Sequence, residues 1–369
     1  MNERMLVLEN GKVYYGKGFG AKNTRIAEIV FNTSMVGYQE ILSEATYCGQ
    51  MVVMSYPLIG NYGLTDEDYE SKGIYMSGFI VREYNDSPSN FRFTKTLSEV
   101  MDDNGVAGIS GLDTREIVRI IRDEGSMLAM ITDADRDIEE CLQEIANYKE
   151  ETRLVEKVSS KNIWFSRTRN PIHTVVAIDC GIRLNMVKRF NQMSCNVVVV
   201  PYNTPIETIK KYNPSGLYIS NGPGRPEELP EIVEVVKVMR GTIPMFGVGL
   251  GAQIIALAYG AKVNKMSFGH RGGNHPVRNL INDKVEISSQ NHTYAVDKKS
   301  LENTGLNVTH VNVLDNEVEG MIDNVNNVFA SQYAPESASR PEDSGYIFDE
   351  FMRAMKEVGG KGNAEENRY

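Results

Sequence analysis

Short apolar stretches broken by glycine fill roughly the first 130 residues. Met5–Leu8, Lys12–Tyr15, Ile29–Asn32, Met51–Ser55 and Gly78–Arg82 alternate or are β-branched, and turn dipeptides such as Asn10-Gly11 separate them, the pattern of strands. One helical pattern stands among them: Ile117, Ile120 and Ile121 share a face, and Asp113 or Thr114 supplies an N-cap. This half reads as an α+β domain over 1–150. Residues 135–171 are polar and charged and end at Asn170-Pro171; they predict a helix and then a linker over 151–171. Beyond it the pattern changes. Thr174–Asp179, Asn196–Pro201, Gly216–Ser220 and Ile243–Gly247 are continuous apolar runs separated by helix-length segments. Such strands belong to a mostly parallel sheet covered on both faces, which predicts an α/β domain over 172–358. The last stretch, 359–369, reads as a frayed tail. In a sheet of this kind chemistry sits at the carboxyl ends of the strands, so the segments after Ser220, after Phe246 and near Ser331 hold the candidate site.

Composition narrows the class without naming a function. The 369 residues suffice for two domains, and 41% hydrophobic with 24% charged is ordinary for a globular chain. The formal net charge of -10, from 39 basic and 49 acidic residues, argues against nucleic acid or an anionic membrane as partner. The opening MNERMLVLENGKVYYG lacks the basic-then-apolar order of a signal peptide, and no run approaches a membrane span. Four cysteines, none in a CxxC pair, fit a reducing compartment. The expectation is a soluble, cytoplasmic protein.

Pro244–Gly260 reads PMFGVGLGAQIIALAYG: an apolar strand enters Gly-x-Gly-x-Gly, and an amphipathic helix is predicted to begin near Ala252. That is the strand–sharp turn–helix shape of a nucleophile elbow. The segment resembles the G-[IV]-C-L-G-H-Q elbow of class I glutamine amidotransferases, with Gly249 at the cysteine position, Ala252 at the following histidine and Gln253 kept. GAKVNKMSFGHRGGNHPV (260–277) and SQNHTYAVD (289–297) resemble signatures of the carbamoyl-phosphate synthase small subunit. So do VFNTSMVGYQEIL (30–42), YPLIGNYG (56–63), LDTREIVRIIR (112–122) and YISNGPGRPEE (218–228), and the likeness spans about 5–355. The family's third catalytic segment, Q-[FG]-H-P-E, is here Gln332-Tyr333-Ala334-Pro335-Glu336, which puts Ala334 at the histidine position and leaves Glu336 in place.

The resemblance implies glutamine hydrolysis through a thioester: a thiolate attacks the side-chain amide, a histidine moves the proton, and a carboxylate orients the histidine. Gly249 and Ala334 supply neither sulfur nor imidazole, and Glu336 is orphaned. Loss of one triad member in a comparable enzyme lowers turnover by about 10⁶, and the losses are not additive, so the sequence predicts an inactive glutaminase. A rebuilt Cys48–His292 pair is the weaker alternative, since a reactive thiol needs an arranged microenvironment. Arg225 replaces the family's aspartate after Gly-Pro-Gly, and Thr293 replaces the glycine after Gln-Asn-His. With Gly249, Ala252 and Ala334 these make five changes in four segments, the look of drift rather than of a designed knockout.

By position match the glutamine pocket comprises Thr46, Gly222, Gly224, Leu250, Gln253, Asn291, Thr293 and Tyr294, with the Leu250 amide as a former oxyanion donor. Gly222-Pro223-Gly224 lacks the lysine and spacing of a phosphate loop. His270, His275 and His292 are not spaced as metal ligands along the chain, so no metal is expected. The resemblance implies no cofactor in this subunit, ATP being used by a large subunit. It also implies the loop 270–275 as part of the wall facing that partner. Two roles stay open: a non-hydrolysing partner of a carbamoyl-phosphate synthase large subunit, or a stand-alone protein that binds glutamine or a related molecule.

Overall fold

The structure is a computed structural model that describes residues 3–337 and 341–366. The chain divides into two units, Met1–Leu154 and Val155–Tyr369.

In the first unit seven strands close into a barrel. In chain order the strands are β1 (Glu3–Leu8), β2 (Val13–Gly20), β3 (Arg25–Asn32), β4 (Gln50–Met54), β5 (Leu58–Ile59), β6 (Gly78–Val81), β7 (Glu83–Tyr84), β8 (Ala107–Ser110) and β9 (Met127–Asp133). The barrel order is β1-β2-β8-β6-β4-β3-β9, while β5 and β7 pair separately. Closure by β9 on β1 leaves no barrel strand with a bare edge. Helices α1 (Tyr38–Ser43), α2 (Leu97–Asp103), α3 (Thr114–Glu124) and α4 (Ile138–Asn147) complete the unit. The α3 pattern is realised as read: the Glu116 amide donates to Asp113 Oδ1 at 3.1 Å, Gly125 ends the helix, and Ile117, Ile120 and Ile121 are buried.

The second unit begins earlier than the sequence suggested. The stretch 151–171, expected to be a linker, carries the short helix α5 (Val155–Val158) and strand β10 (Trp164–Ser166). Val155 is buried in the main core, and Trp164 Nε1 donates to Ser160 Oγ at 3.0 Å. An edge strand pairs on one side only and needs little apolar patterning, which hid it in the sequence.

The sheet of this unit has ten strands: β10, β11 (His173–Asp179), β12 (Cys195–Pro201), β13 (Gly216–Ile219), β14 (Met245–Val248), β15 (Val263–Asn279), β16 (Lys284–Val296), β17 (Asn307–Asn312), β18 (Val318–Asp323) and β19 (Val328–Ser331). Their order is β10-β12-β11-β13-β14-β19-β18-β17-β15-β16. The centre, β12 to β19, is parallel. Around it lie α6 (Leu184–Gln192), α7 (Ile206–Lys211), α8 (Pro230–Met239), α9 (Leu250–Ala258) and α10 (Pro341–Glu366). Side chains alternate between faces: Val176, Ile178, Val198 and Val200 enter one core and Val175, Ala177, Val197 and Val199 the other. Hence the continuous apolar runs, and hence α/β. The last helix continues through the stretch expected to fray as far as Glu366, and 367–369 lie outside the described residues. No described helix is long and apolar enough to cross a membrane.

Candidate active site

Strand β14 delivers the chain to the elbow and α9 takes it away. Gly249 sits between them at φ 56°, ψ -113°, and its amide donates to Ser331 O on the neighbouring β19 at 2.8 Å. The helix starts at Leu250, two residues before the sequence reading placed it, because the turn is a single residue wide. The flanking glycines are required by closeness. A Cβ on Gly251 would stand 2.1 Å from Ile219 O, and one on Gly247 would stand 2.6 Å from Gly251 O. Gly249 differs: a Cβ there meets Asn221 Cβ at 3.4 Å and Gln332 O at 3.9 Å, which is ordinary contact. The elbow has room for a side chain where it has none.

Ala334 follows β19, is 7% exposed, and donates its amide to Ser289 O at 2.9 Å. Glu336 lies in the turn Pro335–Ser337. Its Oε1 accepts from Arg183 Nη1 at 3.1 Å, and the same nitrogen donates to Ser337 Oγ at 2.9 Å. Both side chains of this ion pair are buried, at 9% and 2% exposure. Sequence reasoning missed Arg183, which no motif segment contained.

Seven of the eight predicted pocket residues fall into three groups in the second unit. Gly222 and Gly224 follow β13; a Cβ on Gly222 would meet Cys180 O at 2.1 Å, and Gly224 has φ +84°. Leu250 and Gln253 open α9, and Gln253 Nε2 donates to Tyr294 O at 2.9 Å and to Gln332 Oε1 at 3.2 Å. Asn291, Thr293 and Tyr294 lie on β16, where Thr293 Oγ1 accepts from Arg271 Nη2. The hydroxyl that the family lacks thus has a partner of its own. Gln253 ties the elbow helix to β16, so the second and third groups are joined. Thr46 belongs to the first unit, in the turn Ala45–Tyr47, and is half-buried. Cys48 directly follows the turn Ala45–Tyr47 and is a buried cysteine of the same unit. His292 is engaged at both ring nitrogens, with Tyr294 O and Gln290 Oε1, and burial together with the nearby His270 charge holds it well below the usual histidine range. Both are buried, whereas a reactive thiol of a working pair is partly exposed.

Beside these lies a second set of titratable groups. Burial pushes the His270 imidazole down, but hydrogen bonds with Asp315 and Glu319 overcome it and carry the group up to about 9. Burial depresses His275 and His310 to about 4.

A parallel sheet carrying a glycine-flanked elbow defines a class I amidotransferase fold, and residues 176–354 match the family described as "Glutamine amidotransferase class-I". Residues 6–131 match "Carbamoyl-phosphate synthase small chain, CPSase domain". A carbamoyl phosphate synthase small chain of Fusobacterium nucleatum is 44% identical over 353 residues, 96% of this chain and 98% of that one. One from Staphylococcus haemolyticus is 45% identical, with 97% of each chain covered. A pyrimidine-specific small chain of Halalkalibacterium halodurans is 43% identical over 96% of this chain and 97% of that one. The chain belongs to the carbamoyl-phosphate synthase small-chain family.

Proposed function

We propose that this chain is a carbamoyl-phosphate synthase small subunit that does not hydrolyse glutamine, and that it supports or regulates an ammonia-using large subunit in carbamoyl phosphate synthesis for pyrimidine or arginine pathways. One observation carries the reading. The elbow keeps its backbone, but Gly249 and Ala334 bring neither thiol nor imidazole to it, and Glu336 has turned to Arg183. Thioester formation needs a sulfur nucleophile and a proton acceptor; with both missing, binding and an oxyanion donor leave only residual catalysis. Co-expression with a large subunit, followed by synthesis assays with ammonia and with glutamine, tests it. Ammonia alone is expected to support synthesis; equal rates with glutamine would refute the reading, and failure to co-purify would remove the partner.

A second reading, glutamine binding without hydrolysis, is favoured by Asn291. Both atoms of its side-chain amide are buried without a hydrogen-bond partner among the described residues, and an amide ligand offers the complementary donor and acceptor. Titration calorimetry with glutamine tests it: no heat at millimolar ligand excludes the pocket as a receptor.

A further inference from the structure

Histidines that are scattered along the chain meet in the sheet. The β15–β16 register sets His270 directly opposite His292, their ring centroids 5.1 Å apart. Glu319 of β18 reaches the same spot: its Oε1 is 3.4 Å from His270 Nδ1 and 3.8 Å from His292 Nε2. The three side chains are 5%, 4% and 0% exposed. A tetrahedral ion with bonds near 2.0–2.1 Å separates its ligand atoms by about 3.3 Å; here two pairs stand at 3.4 and 3.8 Å, and all three atoms lie within 4.8 Å of one another.

The neighbours fix which nitrogens face inward. His270 Nε2 lies 2.7 Å from Asp315 Oδ2, which only accepts, so that nitrogen carries hydrogen, and Nδ1 offers a lone pair once an ion displaces the proton it shares with Glu319. His292 Nδ1 lies 2.9 Å from Tyr294 O, so Nε2 offers the other. Carboxylate and carbonyl groups behind metal-bound imidazoles act in this way, setting tautomer and basicity. The inward side then collects acceptors. Glu319 Oε1 faces both lone pairs, Gln290 Oε1 stands 3.3 Å from His292 Nε2, and Glu319 Oε2 is buried without a hydrogen-bond partner among the described residues. Asn312 Nδ2 approaches His270 Nδ1 and Glu319 Oε1, in each case at a long 3.3 Å. In the metal-free chain a protonated His270 bridges Asp315 and Glu319, and a divalent ion is the cation that would take the place of its inner proton among these buried acceptors.

We propose that His270, His292 and Glu319 bind one divalent ion of the zinc class, with Asp315 and the Tyr294 carbonyl as positioning groups and water in the remaining place. His270 and Asp315 also line a cavity of about 760 Å³. The site was invisible in the sequence because its ligand spacing is a property of strand register. It is independent of the reading of the elbow, although it would brace the strand that carries Asn291 and Thr293.

The full chain, stripped with a chelator and dialysed against zinc, is expected to retain one zinc per chain. Cobalt in its place is expected to give the intense visible absorption of a tetrahedral site. D315N, at a side chain that is 40% exposed and therefore tolerant, is expected to weaken zinc binding about 10- to 100-fold. E319Q is expected to abolish retention, while H173A, far along the sheet, leaves it unchanged. Failure of the native chain to retain zinc, or retention indifferent to both D315N and E319Q, overturns the proposal. If E319Q does not fold, the cobalt spectrum and D315N still decide it.

Discussion

A methyl group placed on Gly249 separates two reasons for finding glycine in a tight turn: lack of room and lack of a permitted backbone conformation. The room is there. The added Cβ would lie 3.4 Å from Asn221 Cβ, 3.7 Å from Asn221 Cα and 3.9 Å from Gln332 O, all ordinary van der Waals distances. The conformation is not free, because φ 56° with ψ -113° is a region side chains avoid, and holding a non-glycine residue there costs about 1–3 kcal/mol. In a unit of this size each kcal/mol lowers the melting temperature by about 2–4 °C, so G249A is expected to melt roughly 2–12 °C early. G251A is the contrast. Its Cβ would be 2.1 Å from the Ile219 carbonyl oxygen, a backbone atom that cannot swing aside, and a loss above about 4 kcal/mol or failure to fold is expected. G260A, at φ +88° with nothing within 4 Å, reports the conformational contribution alone, about 1–2 kcal/mol. Calorimetry and urea titration of the three variants settle the order. If G249A proves as damaging as G251A, the elbow has no vacated side-chain position and the comparison with a nucleophile elbow fails. If G249A is without effect, the strain argument fails.

Other expectations follow from the same geometry. G249C with A334H together is expected to release glutamate from glutamine at least about 100-fold faster than either single variant, since a base adds about 10²–10⁴ only when the nucleophile is present; equal rates in single and double variants would show that the elbow is not the reacting centre. R183Q leaves Glu336 buried without its cation and is expected to cost about 3–5 kcal/mol in urea titration, whereas a loss under 1 kcal/mol would mean that the pair is relaxed in solution. For the metal-free chain, His270 is raised to about 9, so its contribution is complete below pH 6.5 and is lost as pH rises toward 9. His275 and His310, depressed to about 4, contribute fully above pH 6.5 and lose this as pH falls toward 4. Stability is therefore expected to peak near pH 6.5, and a steady rise from pH 7 to 9 would contradict the assignment.

What the sequence revealed was whatever depends on neighbours along the chain. The runs at 174–179, 196–201, 216–220 and 243–247 became β11, β12, β13 and β14 because a strand covered on both faces must be apolar throughout. Asp113 capped α3 because capping is a three-residue affair. The 17-residue β15 went unread: Gly269, Gly272, Gly273 and Pro276 look like turn punctuation, and the register shifts between Lys265 and His270 and between Gly272 and His275 break any alternation. What depended on distant partners could not be read at all. Arg183 and Glu336 are separated by 153 residues, and the meeting of His270, His292 and Glu319 requires the order of four strands.

The shape of the elbow has a physical explanation that does not involve catalysis. Gly222, Gly247 and Gly251 each approach a backbone atom of another residue within 2.1–2.6 Å of where a Cβ would be, so replacing any of them forces the sheet or the helix to move. Gln253 donates to Tyr294 O and Gln332 Oε1 at once, and its loss would take that donor from the buried Gln332 side chain. Glu336 neutralises a buried arginine whether or not a histidine stands beside it. Gly249 is a position of another kind: it has no side chain, yet it has ordinary clearance for a Cβ. On the proposed reading, a side chain at the elbow could be given up without disturbing packing, and glycine there relieves strain. The frame of the elbow is therefore held by close backbone approach and buried pairing, neither of which depends on what side chain stands at position 249.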